Sequence, residues 1–140
     1  MGSFGRRAEM IQVVADTHAI IFYLIDDPKL STKAAAAIDS AVRDSALGVS
    51  TISLAEMVYL EEKGRIRPGL TQALESFFGD SGPMFLLDVT FATIHSMKSI
   101  PRDEVPDFPD RLIAATALAH RVPLITADSS IRASRIATIW

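Results

Sequence analysis

Short apolar runs that stop at a carboxylate are what most limits the folds open to this chain. Residues 10–15 are mostly apolar and end at Asp16, and an amphipathic stretch, Thr17–Leu24, begins at once. Residues 122–126 repeat the pattern, with Asp128 two residues on, and residues 84–87 stop at Asp88. Runs this short and this rich in Val, Ile and Leu read as buried strands, and the longer segments between them as helices. Strands alternating with helices imply right-handed βαβ crossovers and an α/β sandwich around a parallel sheet. Ligands of such sheets bind beyond the carboxyl ends of the strands. Each run therefore delivers an acid to the edge where chemistry is expected.

The remaining segments fill in the helices. Ile20, Ile21 and Leu24 give the first helix a buried side, and Asp26-Asp27-Pro28 breaks it. Ser31 is placed to cap an alanine-rich helix, Thr32–Arg43. A short strand or turn at 48–51 leads into a helix over 52–63, which Gly64 closes in the left-handed conformation. A basic loop, 65–69, precedes a short helix over 70–78, and residues 79–83 are punctuation. Thr90 caps a helix over 91–98, a Pro- and acid-rich loop spans 101–109, and a helix follows over 110–120. Residues 129–134 form a turn or short helix, and 137–140 a last strand.

Composition narrows the function classes. At 140 residues the chain is one domain with room for a real core. It has no cysteine, which removes disulfides and thiolate metal sites. A net charge of −3 argues against a passive nucleic-acid coat but not against an enzyme whose acids surround a metal. No apolar run approaches the roughly 18–20 residues of a membrane span, so a cytoplasmic protein without membrane contacts is expected. Residues 1–9 read as a leader or cloning remnant, with a single domain over 10–140.

Two acids beyond the strand ends stand out. Glu56 interrupts a helix that is apolar over most of its circumference, where a desolvated carboxylate is costly without a partner. Its other reading is a helix-face Glu that reaches water or an Arg. Asp110 follows Asp107-Phe108-Pro109 and precedes a small-residue face, Ala114, Ala115 and Ala117. Asp107 is placed as an N-cap, with Asp110 in the first turn where the helix dipole favours negative charge. Singly, Asp16 and Asp128 are explained as well by loop opening as by ligation. Together, the four would form an all-oxygen site suited to Mg²⁺ or Mn²⁺. Ser53 and Thr126 precede Glu56 and Asp128 closely, and with Thr17 they are candidates to orient the carboxylates. His18, His95 and His120 have no ligand spacing and read as structural or surface residues, as does Asp88.

The segments 14–19, 52–56, 107–117 and 123–128 occur in the order and spacing of the PIN-domain ribonucleases, and the chain from about residue 11 to 140 resembles their VapC toxin subgroup. The Asp16-Thr17-His18 opening and the Asp110-to-Ala117 segment carry most of the likeness. The resemblance implies a three-layer sandwich with a central parallel sheet. It implies Asp16 and Asp110 as ligands of Mg²⁺ or Mn²⁺, with Glu56 and Asp128 completing the acidic pocket. It further implies a homodimer and a VapB-like antitoxin whose C-terminal segment covers the site. The chain departs from the more usual pattern in placing Pro109 directly before Asp110.

The expected activity is that of a toxin: a metal-dependent endoribonuclease cutting structured RNA, such as a tRNA or rRNA loop, by metal-activated water. Arg65, Arg67, Arg111 and Arg132, with Lys63 and Arg102, are candidate RNA contacts. The alternative is a catalytically inactive PIN-like module that binds RNA or protein. A phosphoacceptor receiver or an aspartate-nucleophile phosphatase fails on particular residues: His18 stands where the phosphatase needs a second Asp, and no lysine follows residues 122–126 in the place a receiver needs one.

Overall fold

The computed structural model describes residues 10–140; the expected leader at 1–9 lies outside them. Five strands form one parallel sheet: β1 (Val13–Ala15), β2 (Leu47–Ser50), β3 (Met84–Leu87), β4 (Leu124–Ile125) and β5 (Thr138–Ile139). Among the described residues seven helices connect them: α1 (Thr17–Leu24), α2 (Thr32–Arg43), α3 (Thr51–Glu62), α4 (Leu70–Glu75), α5 (Phe91–Met97), α6 (Phe108–Ala119) and α7 (Ser129–Arg132). The strand order is β3-β2-β1-β4-β5. The chain therefore winds outward from β1 on one side and resumes on the other side at β4. The gap between β1 and β4 is the topological switch point, where open α/β sheets form their ligand crevice.

Period-two alternation assigns side chains to the two faces. Val13, Ala15, Leu47, Val49 and Ile125 pack with Ala19, Ile20, Ile38, Met57 and Leu74 of α1 to α4. Val14 and Leu124 point the other way, onto Ile113, Ala114 and Ala117 of α6. That makes the three layers. Gly48 lies on this second face, where a Cβ would come within 2.7 Å of Leu87 Cδ1 and 3.2 Å of Ile11 Cγ2. The close approach, rather than any turn, is what calls for glycine there.

Most expected elements are present, and the differences at their ends have local causes. Ser50 accepts from Ile52 N at 3.0 Å and starts α3 one residue early. Asp107 caps α6, so the helix begins at Phe108 rather than Asp110, and Pro109 is tolerated in a first turn that has no use for its missing N–H. Helix α4 stops at Glu75 because Phe77 and Phe78 turn tightly back onto the carbonyls of Leu74 and Glu75. No helix among the described residues is long and apolar enough to cross a membrane.

Candidate active site

Asp16 and Asp128 meet across the switch point. Strands β1 and β4 pair in parallel, with Val14 opposite Leu124 and Ala15 opposite Ile125. Asp16 N donates to Ile125 O at 3.0 Å, so the pairing continues to the tip. One step beyond is Thr126, fully buried. Its hydroxyl accepts from Asp128 N at 3.0 Å and also favours the ionised form of Asp16, so one small side chain acts on both acids. Both acids also cap helices. Asp16 Oδ1 accepts from Ala19 N at 2.9 Å at the start of α1. Asp128 Oδ1 accepts from Ile131 N at 3.0 Å and from the Ser130 hydroxyl at 2.6 Å. Capping alone would explain an Asp at either place; it does not explain why the two caps share Thr126.

Glu56 reaches the same edge from α3. Thr17 Oγ1 donates to Glu56 Oε1 and lies 3.0 Å from the buried Ser53 Oγ. A hydroxyl has one proton, so with Thr17 serving the carboxylate, Ser53 is the natural donor in the second contact. Ser53 does not cap α3, because Ser50 does. Thr17, Ser53 and Thr126 thus all lie where they can orient carboxylates.

Asp110 completes the group from the first turn of α6. Its carboxyl is pushed up to about 7, first by burial and then by the negative charges of Asp107, Asp128, Glu56 and Asp16. All three of the other expected acids act on it electrostatically, so the four lie near one another at the carboxyl edge of the sheet. Burial also raises Asp16, against the hydrogen bonds from Thr126 and Ala19 N and the nearby His18, while the charge of Asp128 adds to the rise. Asp128 behaves differently: burial would raise it, but the bonds from Ser130 and Ile131 N, with a bond from the Asp110 carboxyl, hold it below the usual value. A protonated Asp110 beside an ionised Asp128 is how two neighbouring carboxyls share one negative charge.

These donors fit a hard divalent cation. They are all carboxylate oxygens, and after burial it is the negative charge of the neighbouring acids that raises Asp110, a charge a cation would offset. No three His, Asp or Glu side chains among the described residues are grouped tightly enough to cage an ion by themselves. Mg²⁺ does not need such a cage, since it keeps several waters and takes one or two carboxylates together with substrate phosphate.

Other candidates are not drawn in. Asp88 is exposed at the tip of the edge strand β3. His18 is exposed beside Phe22, and His95 stacks on the exposed Phe91. His120, half-buried at the end of α6, is held below its ordinary value by burial. Arg111 donates from Nε to Ile100 O at 2.8 Å and from Nη2 to Met97 O at 3.2 Å, committing its fork to the end of α5 and the loop after it. Arg65, Arg67, Arg102 and Arg132 are exposed, and Lys63 lies over the Tyr59 ring. Two contributors were missed in the sequence: Asp107, the charge that acts most strongly on Asp110, and Ser130, which holds Asp128. An acid three residues before Asp110 was visible, but its capping role explained it fully. The Asp-x-Ser spacing at 128–130 was the signal for the second.

The sequence of residues 13–137 matches the PIN domain family. The chain is a member of that family. As a PIN domain it is 28% identical over 134 residues to Ribonuclease VapC22 of Mycobacterium tuberculosis, covering 94% of this chain and all of that protein. Its fold is similar to a structure of VapBC2 from Rickettsia felis bound to a promoter DNA fragment, with a TM-score of 0.68, 17% identity and 91% and 97% of the two chains covered. It is also similar to FitAcB from Neisseria gonorrhoeae, with a TM-score of 0.60, 22% identity and coverage of 91% and 96%. A toxin–antitoxin complex from Klebsiella pneumoniae gives 0.54, 18% identity and coverage of 87% and 92%.

Proposed function

We propose that this PIN domain is a Mg²⁺- or Mn²⁺-dependent endoribonuclease and the toxin of a toxin–antitoxin pair. The observation that supports the reading is the approach of Asp16, Glu56, Asp110 and Asp128 at the switch point, closely enough that the other three raise the Asp110 carboxyl, which burial and charge together push up to about 7. The name of the M. tuberculosis relative supports the ribonuclease part. The Klebsiella complex supports a cognate antitoxin, VapB-like in the reading proposed here and laid over the pocket. A homodimer belongs to the same proposal.

Asp16 and Asp110 would hold the ion, with Asp128 and Glu56 reaching it directly or through water. When bound, the cation supplies an acidified water and neutralisation of charge on the phosphodiester. The chain's own residues do the rest. Thr126 and Thr17 fix the carboxylates of Asp16 and Glu56, so little reorganisation is needed as charge moves. Ser130 and Ile131 N keep Asp128 ionised and able to accept a proton or a water hydrogen. Asp110, as a ligand of such an ion, would be held in its ionised form. The substrate proposed is a structured RNA cut at an unpaired loop, of the tRNA or rRNA kind.

The test is cleavage of total tRNA and rRNA by the purified protein with Mg²⁺, with Mn²⁺ and with a chelator, followed by mapping of the new ends. Discrete metal-dependent cuts that disappear with Asp16→Asn are expected. An Asp16→Asn protein that cuts as well as the parent would end the assignment.

A further inference from the structure

Arg111 directly follows an acid of the site, yet its side chain is committed to backbone carbonyls. Nε donates to Ile100 O at 2.8 Å and Nη2 to Met97 O at 3.2 Å. Its own backbone N–H donates to Asp107 O at 2.9 Å, while Asp107 Oδ2 accepts from Asp110 N at 3.1 Å. One residue therefore closes the loop between α5 and α6 at both ends. Its guanidinium holds the end of α5, and its amide belongs to the first turn of α6. Between those ends, Ile100 and Val105 are fully buried in the core that α6 covers.

The carbonyls have use for these donors, because the last turn of a helix leaves its C=O groups without partners inside the helix. Tight turns serve some of them: Lys98 N, Ser99 N and Ile100 N donate back to the carbonyls of His95, Ser96 and Met97. Met97 O thus accepts twice, from Ile100 N and from Arg111. A planar fork that donates to two fixed oxygens sets distance and rotation together, which the single ammonium of a lysine does not.

The start of α6 has no comparable anchor in the core. Phe108, its first residue, is 64% exposed, and the bulky buried side chains, Leu112 and Ile113, come only after Asp110. Beyond them the helix meets Val14 and Leu124 through Ala114 and Ala117, low ridges that resist sliding weakly. A slip of one residue would carry Asp110 about 1.5 Å along the helix and about 100° around it. A group that shares a ligand has to be held within about 0.5 Å.

We infer that Arg111 is a positioning residue for the acid site: its fork pins the start of α6 to the end of α5 and so sets where Asp110 stands relative to Asp16 and Asp128. The inference rests on the metal-dependent reading above and assigns Arg111 a role other than contact with RNA.

The experiment compares the full-length parent with Arg111→Met, which keeps an apolar stem, and Arg111→Lys, which keeps the charge but loses the fork. Val105→Ala, which loosens the same loop without touching the fork, is the control. Mn²⁺ affinity is read by calorimetry at a temperature where urea melts show every protein folded. Arg111→Met should weaken Mn²⁺ binding by roughly 10–100-fold and Arg111→Lys by about tenfold, whereas Val105→Ala should stay within about twofold. RNA cleavage by the arginine variants should lose kcat with KM unchanged. Parent-like Mn²⁺ affinity in Arg111→Met would overturn the inference, as would equal losses in Arg111→Met and Val105→Ala, which would reduce the fork to loop stability. A raised KM that lysine restores, with Mn²⁺ affinity intact, would overturn it in favour of an RNA contact. If Arg111→Met does not fold, Arg111→Lys carries the same comparison. A parent that binds no Mn²⁺ and cuts no RNA would end the enzymatic reading instead. Metal-free crystal structures of the parent and Arg111→Lys then decide the inference: Asp110 displaced from Asp128 in the variant supports it, and an unmoved Asp110 overturns it.

Discussion

Asp16 and Asp88 end two strands of the same sheet in nearly the same local sequence. Each follows a short apolar run and each is followed, at once or within two residues, by a threonine at or beside the start of a helix. Their fates differ because of their neighbours. Strand β1 lies at the centre of the sheet against β4, so Asp16 has Thr126, Asp128 and Asp110 around it. Strand β3 lies at the edge, and Asp88 stands exposed. A carboxylate at a strand tip becomes chemically interesting through its place in the winding order, not through the residues beside it in sequence.

Substitutions can break that comparison. The largest effect expected is from Asp16→Asn, which should lower metal-dependent RNA cleavage by more than the roughly 10–100-fold typical of losing a residue that merely supports a ligand. Asp88→Asn should leave cleavage within about twofold. Equal losses at the two tips in a cleavage assay would show the position argument to be wrong. The threonines form the next pair. Thr126→Val should weaken Mn²⁺ binding by about 10–100-fold, read by calorimetry. Thr90→Val removes a capping box from α5 and should cost about 1 kcal/mol in urea unfolding, with metal binding unchanged.

A smaller effect is expected on the pH dependence of stability. The Asp110 carboxyl is raised in the folded protein, so between about 4 and about 7 the folded state holds a proton that the unfolded state has lost. Without metal, stability should therefore fall as pH rises through this window, and Asp110→Asn should flatten the fall. The group is only half-buried, so solvent screening reduces the loss by pH 8 to on the order of 1–2 kcal/mol. Metal-free melts of both proteins at pH 5 and pH 8 test this, and a parent protein more stable at pH 8 than at pH 5 relative to the variant would contradict it. Asp128 has the opposite sign, since its depressed carboxyl adds stability above about pH 4 that is lost on further acidification. Ser130→Ala, which removes one of its donors, should narrow that acid limb, the smallest effect of the set.

The sandwich was legible because period-two and helical patterns change over cleanly along the chain, and the caps at Ser31, Thr90 and Asp107 were legible because capping is local. The four acids were legible too, Glu56 because it interrupts an apolar helix and the others because they end or begin elements. What sequence could not supply was distance. The hydrogen bond from Thr17 to Glu56 joins residues 39 apart, and no local pattern announces it. Arg111 shows the same limit: beside Asp110 it reads as a substrate contact, and only the fold places the carbonyls of Met97 and Ile100 within its reach. A groove along α1 was also hidden, because Phe22 and Arg65 come together only when α1 and the end of α3 lie side by side.

The pairing of β1 with β4 acts as a ruler. With Ala15 opposite Ile125, the offset between Asp16 and Asp128 is set by neighbouring strands about 4.8 Å apart and by a fixed count of residues after each. Inserting one residue in either stretch would turn its acid to the other face of the sheet. A deletion between Ile125 and Asp128 would uncouple the Thr126 tie. The turn at 79–83 and the loop at 99–106 are under no such rule. Among descendants of this sequence, length should therefore drift in those loops while the two acid-bearing stretches keep their residue count, whatever else in them changes.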